Sequence, residues 1–322
     1  MKTLKAFEPE ELIILHRLLA VKVAYMLGRK MEENDWGDIY CKAKKIPTQT
    51  WSNLNIDVAH HNLGVEHKML CVRSKGDIAG ICGKSFMHPS ATRSIRIRTT
   101  DADANEVMIE VFEQYSQLIQ DRKSYIQKKT QTTEKIDLRT GWLLWQESLH
   151  QFLYFEEETI APSANDYTAV WEDAKVKGSR KSSKNLWIYE KASGKKKYSV
   201  TTSAGIKIQP YFDVPPPNDP NLYIFNVIGE SINFGEVKVW LTQSTYREIT
   251  SLYGTIDKTI ISEKIIESCS HIVTSNTEIK LYEQNGEDLI ISVEAYTKLY
   301  ETFPEAISDE HAFLMLVNNH LP

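Results

Sequence analysis

The chain has 322 residues, of which 42% are hydrophobic and 25% charged, and a formal net charge of −5. That composition excludes a disordered, fibrous or disulfide-built protein and leaves room for a sizeable core, in about two domains. The four cysteines (Cys41, Cys71, Cys82, Cys269) show no CxxC pairing and read as reduced thiols of a cytoplasmic protein. Glu8-Pro9 opens a helix that the stripe Leu12, Leu15, Leu18, Leu19, Val23, Met26 and Leu27 carries to about Met31. His16, Arg17 and Lys22 interrupt it, so neither a secretory leader nor a membrane span is expected there. Glu32 and Glu33 fall at its end.

Asn55 to Leu70 reads as a β-hairpin, with Ile56 to Ala59 as one arm, His61 to Gly64 as the turn and Val65 to Val72 as the return. Asn62 and Gly64 tolerate the positive φ such turns need. Glu66 and Lys68 lie two apart on the return strand and share a face. A turn centred between His61 and Asn62 sets Asp57 opposite Glu66; one centred at Asn62-Leu63 sets it opposite Lys68. Either way, two carboxylates and an ammonium converge on one side of the hairpin. Paired carboxylates hold a hard divalent cation through oxygen, and a lysine beside them can orient or deprotonate a water and offset anionic charge.

Asp57 followed by Glu66-His67-Lys68 resembles the D…(D/E)-x-K core of the PD-(D/E)xK nucleases, best known from Type II restriction endonucleases. Ile56 stands where that pattern has proline, and the resemblance covers roughly residues 30–100. It implies Mg²⁺ held by Asp57 and Glu66, with Lys68 assisting the attacking water. A glutamate of the first helix sometimes joins the metal in that family, which would be Glu33; the alternative is a solvated glutamate at a helix end. The triplet alone is unspecific, recurring for example at Asp121-Arg122-Lys123 and Glu236-Val237-Lys238. The second of these, with Glu230 or Asp213 as its other carboxylate, is the main internal rival, and a surface hairpin with an ion pair is the bland reading.

After the hairpin, Gly80 to Ser85 superficially looks like a phosphate loop, but Ile78 stands where the first glycine belongs. Arg93 to Arg98 reads as a strand with Arg96 and Arg98 on one face and Ile95 and Ile97 on the other. Asp103 to Lys129 is the clearest helix, with a broad apolar face and an aspartate cap, and suits a crossover. Trp142 to Phe155 is aromatic, apolar and expected in the core. Lys175 to Lys197 carries nine basic residues against Glu190 and holds a second hairpin, Asn185 to Val200, with Trp187, Tyr189 and Tyr198 interleaved. A two-stranded basic ribbon of this kind can track or enter a DNA groove. The expected DNA contacts are Arg73, Lys75, Arg93, Arg96, Arg98, Arg180, Lys181, Lys184, Lys195, Lys196 and Lys197.

Five prolines between Pro210 and Pro220 read as a rigid linker. From Leu222 onward 15 acidic residues face 6 basic ones, so this part should not lie along nucleic acid. Strands are expected at Leu222–Val227 and Val237–Leu241 and as an Asn285-Gly286 hairpin, helices near Ser244–Tyr253, Ser262–Ser270 and Asp309–Asn319, and no repeat. The resulting expectation is an α/β (α+β) protein with a restriction-endonuclease-like mixed sheet flanked by helices and a smaller C-terminal α+β region. Its parts would be a catalytic core over 1–165, a basic ribbon over 166–214 and an acidic region over 215–322. The expected function is a Mg²⁺-dependent endodeoxyribonuclease cutting double-stranded DNA at a specific sequence, as a homodimer with no membrane attachment. The alternative is a non-catalytic DNA-binding protein, and a third option is an RNA-processing nuclease.

Overall fold

The computed structural model describes residues 2–26, 30–47, 56–73, 76–88, 95–173, 184–201, 207–272 and 286–320. The chain opens with β1 (Thr3–Leu4) and α1 (Pro9–Met26), whose Leu15, Leu19 and Val23 are buried. A separate helix, α2 (Glu33–Ala43), begins where one long helix was expected to end. The Glu32 backbone N–H donates to Asp35 Oδ2 at 3.0 Å, and such a side-chain bond at a helix start favours a new helix over continuation.

The hairpin is β2 (Val58–His60) and β3 (Leu63–Val72), with Val58 opposite Val65 and His60 opposite Leu63. This is the first of the two registers considered above. β4 (Ser85–Met87) follows, and then Ile95 to Arg98, which is not a strand. Ile95 is nevertheless buried and Arg96 and Arg98 exposed, because Gln114 bonds both the N–H and the carbonyl of Arg96. Next comes α3 (Ala104–Thr130), capped by Asp103. It carries the chain over so that β5 (Asp137–Gln146) lies parallel to β3, an arrangement that needs such a crossover. β6 (Gln151–Glu158) then turns back antiparallel, so the aromatic run is the inner hairpin of the sheet.

A second sheet is built from β7 (Tyr167–Asp173), β8 (Lys184–Glu190), β9 (Lys196–Thr201) and β10 (Lys207–Asp213), in the order β4-β10-β9-β8-β7. Ile188 and Val200 of β8 and β9 pack with Val107, Val111 and Phe112 of α3. The basic hairpin is therefore the middle of a five-stranded sheet and not a free ribbon, since apolar alternation on both strands needed a partner layer. The proline stretch is tied down as well: Asp219 accepts from Thr3 Oγ1 at 2.8 Å, and β11 (Tyr223–Asn226) then joins β6. The first sheet thus runs β1-β6-β5-β3-β2, with β11 also on β6. One face packs on α1 and α2 through Val65, Leu143 and Tyr154. The other face carries Trp142, Leu144 and Phe155 against Phe212 of β10.

The last part holds β12 (Glu230–Asn233), β13 (Glu236–Thr242), α4 (Gln243–Tyr253), α5 (Lys258–His271), β14 (Gly286–Ser292), α6 (Val293–Thr302) and α7 (Asp309–Asn318). Gly286 opens a strand that pairs with β13, and Asn285 lies outside the described residues. Contrary to expectation there is a repeat here, β13-α4-α5 and β14-α6-α7. Thr242 and Ser292 cap the first helices through the same backbone position, and Tyr246, Ile249 and Tyr253 match Tyr296, Leu299 and Phe303 at one constant offset. Val239 pairs with its own counterpart Leu289, α4 packs on α7 and α5 on α6, as an approximate two-fold axis requires. So few matching positions, most of them merely apolar, leave no visible periodicity in sequence. No helix among the described residues is long and apolar enough to cross a membrane.

Asp309 is buried at the centre of this unit and accepts from Gly229 N–H (2.9 Å), Tyr300 Oη (2.7 Å) and Tyr296 Oη (3.1 Å). Burial pushes its pKa up to about 6, against an unfolded value of 3.8, the three donors pulling the other way. A raised carboxyl pKa means that the native state binds more protons across this window. Its contribution is therefore most favourable below pH 3.8 and is lost as pH climbs to about 6, by roughly 3 kcal/mol. Urea midpoints measured at about pH 4 and pH 6.5 should fall more for the wild type than for Asp309→Asn. Equal slopes would exclude Asp309 as the titrating group.

Candidate active site

Glu66 and Lys68 project from β3 on the face that looks toward α3 and the second sheet, where both line a cleft of about 640 Å³. Lys68 Nζ lies 2.7 Å from Glu66 Oε1. Arg122 of α3 reaches the same oxygen at 2.8 Å, with its side chain only 9% exposed. Arg122 was not foreseen, although the signal was present: it falls on the buried stripe of α3 between Ile119 and Ile126, where an arginine needs a partner.

Asp57 sits just before β2, where the pairing with β3 has ended. Its Oδ2 takes the place of a strand carbonyl and accepts from His67 N–H at 2.6 Å. Burial and then the charge of Glu66 push Asp57 up to about 7, with the His67 N–H and Lys68 opposing and Glu33 adding to the rise. For Glu66, burial alone would raise the pKa, but Lys68 and Arg122 outweigh it and hold the group below the usual carboxylate value. At neutral pH the site thus contains one firmly ionised carboxylate and one that is about half protonated, which a bound cation would ionise fully. Glu33 is exposed at the start of α2 and reaches this group only through space.

The reverse face of β3 is sealed. His67 is 1% exposed, lies edge-on to Tyr40 at 4.9 Å, and is held neutral by burial, with a pKa of about 3. Beside it the buried Glu156 accepts from Tyr40 Oη (2.9 Å) and Tyr154 Oη (2.8 Å) and pairs with Arg139 at 2.9 Å. Gly141 makes this packing possible, because a Cβ there would stand 2.3 Å from Tyr154 Oη.

The expected DNA contacts are scattered. Lys75, Arg93, Arg180 and Lys181 lie outside the described residues. Arg73, Arg96 and Arg98 are exposed. Lys184 lies 3.8 Å from Asp101, Lys195 and Lys197 pair with Asp213 at 3.5 and 2.9 Å, and Lys196 sits 3.1 Å over the Trp187 ring. At the rival hairpin Glu230 stands opposite Lys238 with their charges 3.6 Å apart, while Glu236 is bound to Lys258. Among the described residues no second carboxylate pairs with Lys238.

The donor set at β3 fits a hard cation: the register brings two carboxylates, Asp57 and Glu66, against each other, and Asp57 has no ion pair among the described residues. No group of three or more His, Cys, Asp or Glu that could hold a metal occurs among the described residues. Comparison with family models, with curated proteins and with solved structures finds no match to this chain.

Proposed function

We propose that the protein is a Mg²⁺-dependent endodeoxyribonuclease that resembles Type II restriction enzymes, with a restriction-endonuclease-like core, acting on duplex DNA as a homodimer. The observation that carries this reading is the hairpin register that sets Asp57 across from Glu66 beside Lys68, the last two of which line a cleft. The parallel β3 and β5 joined by the crossover α3 agree with the fold that the resemblance implies. Asp57 and Glu66 would hold the metal, which when bound supplies charge for the phosphodiester oxygens and a more acidic water. Lys68, one bond from Glu66, would orient the attacking water and offset charge on the phosphate. Arg122 would keep Glu66 in place and ionised. Exposed Arg73, Arg96 and Arg98 remain available for phosphates.

The non-catalytic DNA-binding reading relied on the basic ribbon. Its central place in a sheet and the pairing of Lys195 and Lys197 with Asp213 weigh against it.

Plasmid cleavage by purified protein with Mg²⁺ or EDTA tests the proposal. Discrete fragments that need Mg²⁺ support it, and salt-sensitive binding without cleavage of methylated or unmethylated plasmids supports the alternative. Mg²⁺ should also raise the unfolding temperature of the wild type by mass action, and not that of Glu66→Ala. An equal shift in both would place the metal elsewhere.

A further inference from the structure

The cleft beside Lys68 extends well past the reacting group. At about 640 Å³ it falls within the roughly 300–1,000 Å³ of small-molecule pockets. Glu66 on β3, Thr140 on β5 and Glu157 on β6 stand in one row across three neighbouring strands. Strand spacing therefore sets the backbones of Glu66 and Glu157 about 10 Å apart.

Glu157 is the unexplained member of that row. Its Oε1 accepts from Trp142 Nε1–H at 2.9 Å, while its Oε2 is buried with no partner among the described residues. Burial is the main cause that pushes the group up to about 7, with Trp142 and Lys197 opposing. Lys195 and Lys197, two of the cations that line the cleft, are paired with Asp213. A buried acceptor left without a donor is costly unless something brings one. Rings stand along its wall: Tyr115, Tyr167 and Tyr198 line the same cleft.

We propose that this cleft is a nucleobase pocket, which takes a base swung out of the duplex and offers Glu157 Oε2 as the acceptor for that base's exocyclic amine. The proposal rests on the nuclease reading and extends it to the substrate. An extruded base is bound by hydrogen bonds to its Watson–Crick edge and by contact with aromatic rings, and the cleft supplies both. A single free acceptor selects a base with an amino group over one with a carbonyl at the same ring position. The separation of Glu66 from Glu157 is one that a single nucleotide bridges, its phosphate at Lys68 and its base at Glu157.

The test uses the full chain in EDTA, titrated by calorimetry with dCMP and with dUMP, which differ at that ring position. The wild type should bind dCMP about tenfold tighter than dUMP. Glu157→Gln keeps an acceptor for Trp142 but presents an amide donor in place of Oε2, so its preference should reverse toward dUMP. Lys68→Ala, which removes the phosphate's partner, should weaken both nucleotides alike and leave only their ratio unchanged. No binding, equal binding of the two nucleotides, or an unreversed preference in folded Glu157→Gln would overturn the pocket. Should Glu157→Gln not fold, Tyr167→Ala serves instead: affinity for dCMP falls about tenfold if the ring stacks on the base, and unchanged affinity overturns the proposal. Nucleotide binding without DNA cleavage would count against the nuclease reading alone, and cleavage without nucleotide binding against the pocket alone.

Discussion

Lys68→Ala is expected to reduce Mg²⁺-dependent plasmid cleavage by about 10²–10⁴-fold, while Lys238→Ala leaves it within about twofold. The reason is positional. Lys68 is the one cation on β3 that touches Glu66 and also faces the cleft, and its side chain is 12% exposed. Lys238 is tied to Glu230 and covers the Trp240 ring. Arg122 remains on Glu66 in Lys68→Ala, so the carboxylate keeps a partner and the variant should fold and still bind DNA. Matched initial rates and a DNA-binding isotherm for both variants make the comparison. Loss with Lys238→Ala alone would move the active site to the second hairpin, and retained cleavage in both would remove lysine assistance from the mechanism.

Arg139→Ala should cost about 3–5 kcal/mol of stability, the largest effect expected of any charged residue away from the cleft. Arg139 pairs with Glu156, whose side chain is fully buried, and with Asp137. Removing it leaves the buried Glu156 carboxyl without a cation among the described residues, with only the two phenols of Tyr40 and Tyr154 as donors. The double variant Arg139→Ala/Glu156→Gln should recover about half of the loss, since the amide oxygen still accepts from the tyrosines and no charge is stranded. Chemical denaturation of both variants measures this coupling. Additive losses would mean that Arg139 acts through packing or Asp137. Because these residues sit directly beneath His67, Arg139→Ala should also loosen the strand that carries Glu66 and Lys68.

How much of this was legible from residues alone differs from one element to the next. The Asp57–Glu66–Lys68 hairpin followed from a two-residue period, and its register was one of the two considered, although the positive φ of the turn falls on His61 and not on Asn62 or Gly64. The ends of α3 followed from Asp103 and the apolar stripe. The β8–β9 hairpin and the helices near 244–253 and 309–319 were likewise written in local pattern. Each of these depends on interactions within a few residues along the chain, where chemistry and spacing are both visible.

Four features escaped the sequence. Arg122 meets Glu66 only because α3 crosses over the sheet, and a single arginine on a helix names no partner. The basic ribbon became the centre of a sheet because β7 and β10 flank it, which neither of its own strands encodes. The repeat of β13-α4-α5 in β14-α6-α7 survives in packing geometry more than in residue identity. Glu157 looked like one of three consecutive glutamates, yet alternation along β6 sends Glu156 to a satisfied site under Arg139 and Glu157 to an unsatisfied one in the cleft. The sequence by itself determined which residues share a strand face or a helix stripe. Only the tertiary structure decided which charges are compensated, because compensation depends on burial and on groups brought together from distant parts of the chain.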